Sequence, residues 1–192
     1  MKPMNEGEWV KSIVGNIEAS LRTVNDNLRV TDGKKLPYSS EVITYQNDQP
    51  HSQNFISYET DVLVYEQLND TEWKPRIIIE AKIDSVTTHD AITYSQKAQT
   101  HKNVHPYLRY GILLGNRKHH PLPGRLFRHG QHFDFMASWK GFTADANEWD
   151  GLIDILTSEY EASVALDEII FNSLSRTREH FTSLHRPLKL RK

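Results

Sequence analysis

The sequence predicts a single α/β domain in which a mixed β-sheet of about four or five strands is flanked by helices and followed by a helical C-terminal third. Three observations predict it. Apolar residues recur at helical spacing from Trp9 to Val24, short apolar runs of strand length occupy 61–65, 77–79 and 110–115, and helical spacing returns after Asn147. A chain of 192 residues is long enough for one sizeable core, and no composition shift divides it, so 1–192 reads as one unit.

Trp9, Val10, Ile13, Val14, Ile17, Leu21 and Val24 share one face of an amphipathic helix over residues 7–24. Asp32-Gly33 and Pro37 then signal a turn between Asn27 and Lys35. Glu41 to Tyr45 and Phe55 to Tyr58 are β-branched or aromatic runs, expected as short strands around a polar loop over 46–53. Asp61 to Tyr65 and Arg76 to Lys82 are expected as two adjacent strands, the second central because Ile77 to Ile79 is continuously apolar. Thr87 to Asp90 starts a helix with Ala91, Tyr94, Ala98 and His101 on one face, which Pro106 ends. Tyr110 to Gly115 is a further buried strand, and the order strand, helix, strand predicts a parallel return. Leu126 to Arg128 and His132 to Phe135, around Gly130, are expected to form a β-hairpin. Helical spacing runs through Trp149, Leu152, Leu156 and Tyr160, and again from Val164 to Leu174. Trp139 and Trp149 read as core.

Composition excludes several classes of function. There is no cysteine, so disulfide frameworks, thiolate metal sites and cysteine nucleophiles are absent. No apolar run approaches the roughly 20 residues that cross a bilayer, and Met1 to Trp9 is polar, so a cytoplasmic protein without a membrane partner is expected. The formal net charge of -2 hides an asymmetry: from His101 to His132 there are six Lys/Arg, six of the ten histidines and no Asp or Glu. Arg176, Arg178, Arg186, Lys189, Arg191 and Lys192 make a second basic patch, opposed by Glu179.

The informative constellation is Asp61 followed, after eighteen residues, by Glu80-Ala81-Lys82 at the end of an apolar strand. Alternate side chains on a strand point the same way, so Glu80 and Lys82 share one side while Ala81 enters the sheet. A neighbouring strand brings Asp61 alongside, and two carboxylates with an ammonium suit Mg²⁺ and a phosphodiester.

Thr60-Asp61, the run Ile77 to Ile79 and Glu80-Ala81-Lys82 resemble the motif of the PD-(D/E)xK nuclease superfamily, which includes type II restriction endonucleases, repair nucleases and Holliday-junction resolvases. The proline of the motif's name is Thr60 here. The resemblance covers residues 7–115 as catalytic core, leaving 116–192 for the hairpin and C-terminal helices. It implies a restriction-endonuclease-like sheet, Asp61, Glu80 and Lys82 as catalytic residues, and metal ligation by Asp61, Glu80 and the Ala81 carbonyl. It also implies an accessory acid on the first helix, a role that Glu18 fits best and for which Glu8 and Glu41 compete. On the helix after the motif, Gln96 and Gln99 are candidates for the phosphate. The lambda-exonuclease-like branch has a tyrosine four residues after its glutamine, where Thr100 stands here, so that branch is not indicated.

The acid-free stretch supplies further DNA-binding candidates: Lys102, Arg125, Arg128 and Gln131, the last three on or beside the expected hairpin, where a two-stranded ribbon can enter a groove. His119-His120 is a weak metal candidate, since adjacent strand residues face opposite ways. The expected function is therefore a Mg²⁺-dependent endodeoxyribonuclease, with Mn²⁺ substituting, acting on double-stranded DNA as a type II restriction-like homodimer. The alternatives are a structure-specific repair or phage nuclease of the same fold and a non-catalytic DNA-binding module.

Overall fold

The computed structural model describes residues 4–118, 122–172, 183–185 and 188–190. His119-His120, the end of the helical period at Leu174, and Arg176, Arg178, Glu179, Arg186, Arg191 and Lys192 of the basic tail lie outside these residues.

Helix α1 spans Glu6–Leu21 and starts at a capping box: Asn5 accepts from Glu8 N–H at 2.9 Å while Glu8 accepts from Asn5 N–H at 3.0 Å. Its apolar face, Trp9, Val10, Ile13, Ile17 and Leu21, is buried. Strand β1 (Leu28–Thr31) follows, with Leu28 and Val30 turned inward, in a segment where the sequence indicated only a turn. The turn falls at Gly33, where Asp32-Gly33 signals it, and the φ of 66° there is the left-handed conformation that glycine adopts without penalty.

Residues 35–59 depart most from expectation. Instead of two short strands around a loop, β2 (Lys35–Gln46) and β3 (Gln49–Glu59) form one long hairpin, closed by Asn47 and Asp48 with φ of 49° and 61°. Two successive positive φ values match the tight turns that fit the twist of paired strands. The supposed loop is strand because it pairs across the ribbon; being solvated on both faces, it has no hydrophobic alternation to reveal it.

Strands β4 (Val62–Gln67), β5 (Trp73–Ile83), β6 (Arg109–Gly115) and β7 (Phe135–Ser138) join β1 in a mixed five-stranded sheet of order β1-β4-β5-β6-β7. β4 runs antiparallel to both of its neighbours, β1 and β5, while β5, β6 and β7 run parallel. Between β5 and β6 lies α2 (Thr88–Val104), so the parallel return indicated by strand, helix, strand is present. Thr87 caps α2: its hydroxyl accepts from Asp90 N–H at 3.1 Å and donates to the Asp90 carboxylate at 2.7 Å. Thr87→Ala is expected to cost about 1 kcal/mol in chemical denaturation; an unchanged midpoint would show the cap to be redundant.

The hairpin expected over 126–135 is not formed. Residues Gly124–His129 are a short helix, α3, with Leu126 buried on its inner side, and the strand begins only at Phe135, parallel to β6 rather than folded back on 126–128. Pro123 stands in extended conformation at the N-cap of that helix, and the Asp134 carboxylate accepts from Tyr110 N–H at 2.8 Å, which holds β7 beside β6. The C-terminal helical spacing is one continuous helix, α4 (Ala146–Asn172).

The sheet buries both faces. On one, α1 and α4 pack over Val62, Val64, Ile77, Ile79, Ala81 and Leu113; on the other, α2 and α3 cover Leu63, Ile78, Ile112 and Leu114. Trp139 and Trp9 meet edge to face at 5.7 Å, and Trp149 lies 5.9 Å from Trp139, which makes both expected core tryptophans part of the packing. A Cβ on Gly115 would stand 2.6 Å from the Trp9 ring, so that glycine lets α1 approach the end of β6.

Candidate active site

The carboxyl ends of β5 and β6, the start of β4, the first turn of α1 and the middle of α2 converge. Val62 pairs with Ile79, which sets Asp61 across from Glu80 at the end of the strand pair. Asp61 accepts from the Ala81 N–H at 2.8 Å through one oxygen, and the Ala81 side chain is buried in the core beneath. Period-two alternation then turns Glu80 and Lys82 toward α2.

Glu80 is only 3% exposed. The Tyr110 hydroxyl on β6 donates to it at 2.9 Å, and Lys97 of α2 stands 3.5 Å from its other oxygen. Burial, with the charge of Asp61 added to it, pushes the Glu80 carboxyl up to about 7, against the opposing pull of Lys97, Tyr110 and Lys82. Burial and the Glu80 carboxylate likewise raise the Tyr110 phenol well above its ordinary value, so Tyr110 stays a donor. Burial works against the Lys82 ammonium, but its 2.7 Å contact with Glu6 and the nearby Tyr94 outweigh it and hold its pKa above the ordinary lysine value. Lys82 and Lys97 flank the Tyr94 ring, with Nζ atoms 4.8 and 5.0 Å from its centroid.

The structure therefore brings together Asp61, Glu80, Ala81 and Lys82, and adds Glu6, Tyr94, Lys97 and Tyr110. Glu6 lay just outside the helix as its apolar period defined it. Lys97 lies between the two glutamines the sequence singled out, one position from Gln96, and only the helix's rotation against the sheet selects it. Tyr110 read as an apolar strand residue.

Other candidates are engaged elsewhere. Glu18 accepts from Val30 N–H at 2.7 Å on β1, and twelve residues of helix put it about 18 Å along the axis from Glu6. It completes the backbone hydrogen bonding of β1 and does not join the cluster. Glu8 is spent in the α1 capping box, and Glu41 accepts from Asn54 far out on the exposed hairpin. Gln99 donates to Asn103 along α2.

The basic stretch is acid-free in sequence but not in space. Lys102 pairs with Asp134 at 2.8 Å and donates to the His132 carbonyl, so this expected DNA contact is turned into the fold. Arg109 pairs with Asp134 and Glu159, and Arg117 donates to the Asp84 carbonyl. Arg125 keeps an exposed side chain while donating to the Val86 carbonyl at 2.9 Å. Gln96, Arg128 and Gln131 line one shallow cleft with Ser95, His129 and His132, between α2 and α3 and without a carboxylate.

Among the described residues no group of three or more His, Asp or Glu side chains gathers at metal-ligating distance. The donor set at the strand ends is two carboxylates, one of them buried and uneasy as an anion, which fits a hard divalent cation that retains most of its water. No protein-family model matches this chain, and no curated protein is significantly similar to it. Among the described residues no helix is long and apolar enough to cross a membrane.

Proposed function

We propose that this chain is a Mg²⁺-dependent endonuclease that hydrolyses phosphodiester bonds of double-stranded DNA, with a fold of the restriction-endonuclease-like kind. The observation that carries the reading is the buried Glu80, near the carboxyl end of β5, beside Asp61, which immediately precedes the antiparallel β4. Two carboxylates with no buried cation held tightly between them are costly in a folded protein and repay that cost when a dication enters.

Asp61 and Glu80 would hold Mg²⁺, with Mn²⁺ as a substitute. The metal supplies Lewis acidity toward the scissile phosphate and its attacking water. Asp61 is held by the Ala81 N–H, which fixes one oxygen and leaves the other for a ligand. Tyr110 orients Glu80 from the β6 side. Lys82, kept cationic by Glu6, lies where it can orient the water and steady charge on the phosphate. Lys97 counters Glu80 in the free protein and is placed to turn to the phosphate once a cation takes over that task. Water adds to phosphorus, the P–O bond to the leaving sugar oxygen breaks, and that oxygen takes up a proton.

The deciding experiment is conversion of supercoiled plasmid to nicked and linear forms by purified protein. Cleavage that appears with Mg²⁺ and vanishes with chelator supports the proposal; none with either Mg²⁺ or Mn²⁺ across a panel of DNAs removes it and leaves a non-catalytic DNA-binding module. Mapped ends separate the restriction-like reading from structure-specific cleavage. Arg128, in the acid-free cleft, is the best placed phosphate contact outside the cluster, so Arg128→Ala should flatten the salt dependence of DNA binding by about one unit of slope. An unchanged slope would assign the cleft to ordinary surface.

A further inference from the structure

β2 and β3 form a two-stranded sheet of their own. Its root is anchored: Leu36 is buried, a His101 ring nitrogen lies 3.2 Å from the Pro37 carbonyl, and Tyr38 stacks on Tyr58 at 3.8 Å. Beyond that root the arm is solvated, with Ile43 64%, Tyr45 67% and Phe55 58% exposed. An isolated two-stranded ribbon is marginally stable, and large apolar side chains along one call for a partner.

The two edges are built differently. Proteins guard open edges with charge, proline and bulges. β2 has all three: Glu41, Pro37, and extra residues at Tyr38 and Ile43 that interrupt its register. β3 has none from Ser52 to Tyr58, where each successive residue finds a partner on β2 and no Asp, Glu, Lys, Arg or Pro occurs. Its own irregularity and its proline fall at the tip, at His51 and Pro50. One edge is protected and the other is left open for seven residues.

DNA is a poor occupant. No Lys or Arg lies between Leu36 and Trp73, and Glu41 and Asp48 sit toward the tip, so phosphates would meet uncompensated carboxylates. We propose that β3 is the seam of a homodimer, pairing antiparallel with β3 of a second copy across a two-fold axis to make a four-stranded sheet. In such a contact the same run of residues faces itself, so a charged edge would oppose like charges. Ser52 to Tyr58 carries no charge and suits its own copy, and pairing covers part of the exposed apolar surface around Phe55. The inference is independent of the chemistry proposed at Glu80, and its test reads no cleavage.

The chain has no cysteine, so a single introduced thiol can bridge only to another copy. Expected by light scattering after gel filtration is a mass of about 45 kDa, twice the 22.3 kDa chain. Under mild oxidation, at least one of Gln53→Cys, Asn54→Cys and Phe55→Cys should give a disulfide-linked dimer on denaturing gels, whereas Ser158→Cys, exposed on α4, should not. Gln53→Lys with Phe55→Lys should return the mass to that of one chain with an unchanged far-UV circular dichroism spectrum; if that variant unfolds, the thiol scan decides alone. A monomeric wild type, a dimer that no arm thiol links, or a folded lysine variant that stays dimeric overturns the proposal.

Discussion

Asp61→Asn is expected to lower Mg²⁺-dependent cleavage by on the order of 10³-fold while DNA binding stays intact or tightens. Asparagine retains an oxygen to accept the Ala81 N–H, so the strand end keeps its geometry and only the charge is lost. That charge is one of two ligands in the proposed site, and it is also a carboxylate that phosphate must approach. The same substitution removes a cause of the raised Glu80 pKa, so the Glu80 carboxyl should titrate lower than in the wild type, readable by NMR without any cleavage assay. Full cleavage by pure Asp61→Asn protein would place the chemistry elsewhere. Lys82→Ala should behave alike in cleavage, and its loss leaves Glu6 without its 2.7 Å partner.

Glu80→Gln is expected to stabilise the protein at pH 8, by up to about 3 kcal/mol, and by progressively less as the pH falls toward 4.5. The folded-state carboxyl titrates at about 7, against 4.5 for an ordinary glutamate, because burial and Asp61 both disfavour its anion. Between those values the folded chain keeps a proton that the unfolded chain releases. The stability associated with neutral Glu80 is therefore complete below pH 4.5 and is lost as the pH rises through 7. Glutamine stays neutral throughout and can still accept from Tyr110, so it escapes the loss. Urea melts of both proteins at pH 5 and pH 8 test this, and equal stability differences at the two pH values would sink it. Under the proposed function Mg²⁺ should stabilise the wild type at pH 8 more than the variant, since only an ionised carboxylate binds it well.

Those parts of the fold in which each residue's neighbours are close in the chain, or its burial is one-sided and periodic, are legible in the amino-acid pattern. α1 and α4 were legible from their apolar stripes, α2 from the Thr87 to Asp90 cap, and β4, β5 and β6 from runs that only a covered sheet can bury. The pairing of Asp61 with Glu80-Ala81-Lys82 was legible too, because alternation along one strand and adjacency of the next suffice to aim three side chains. Tertiary structure alone decided the rest. β2 and β3 are solvated on both faces, so their pattern reads as loop until the two strands pair. α3 replaced a strand because a six-residue helix that buries one leucine has no period to detect. The partners of Lys102 and Arg109 come from Asp134 and Glu159, beyond the stretch whose lack of acids made it look like a free basic surface. Glu6 rather than Glu18 meets Lys82, and Lys97 rather than Gln96 or Gln99 meets Glu80, because which residue of a helix reaches a strand end depends on how far that helix slides and rotates against the sheet. Periodicity identifies the face of a helix; only packing sets its height and angle.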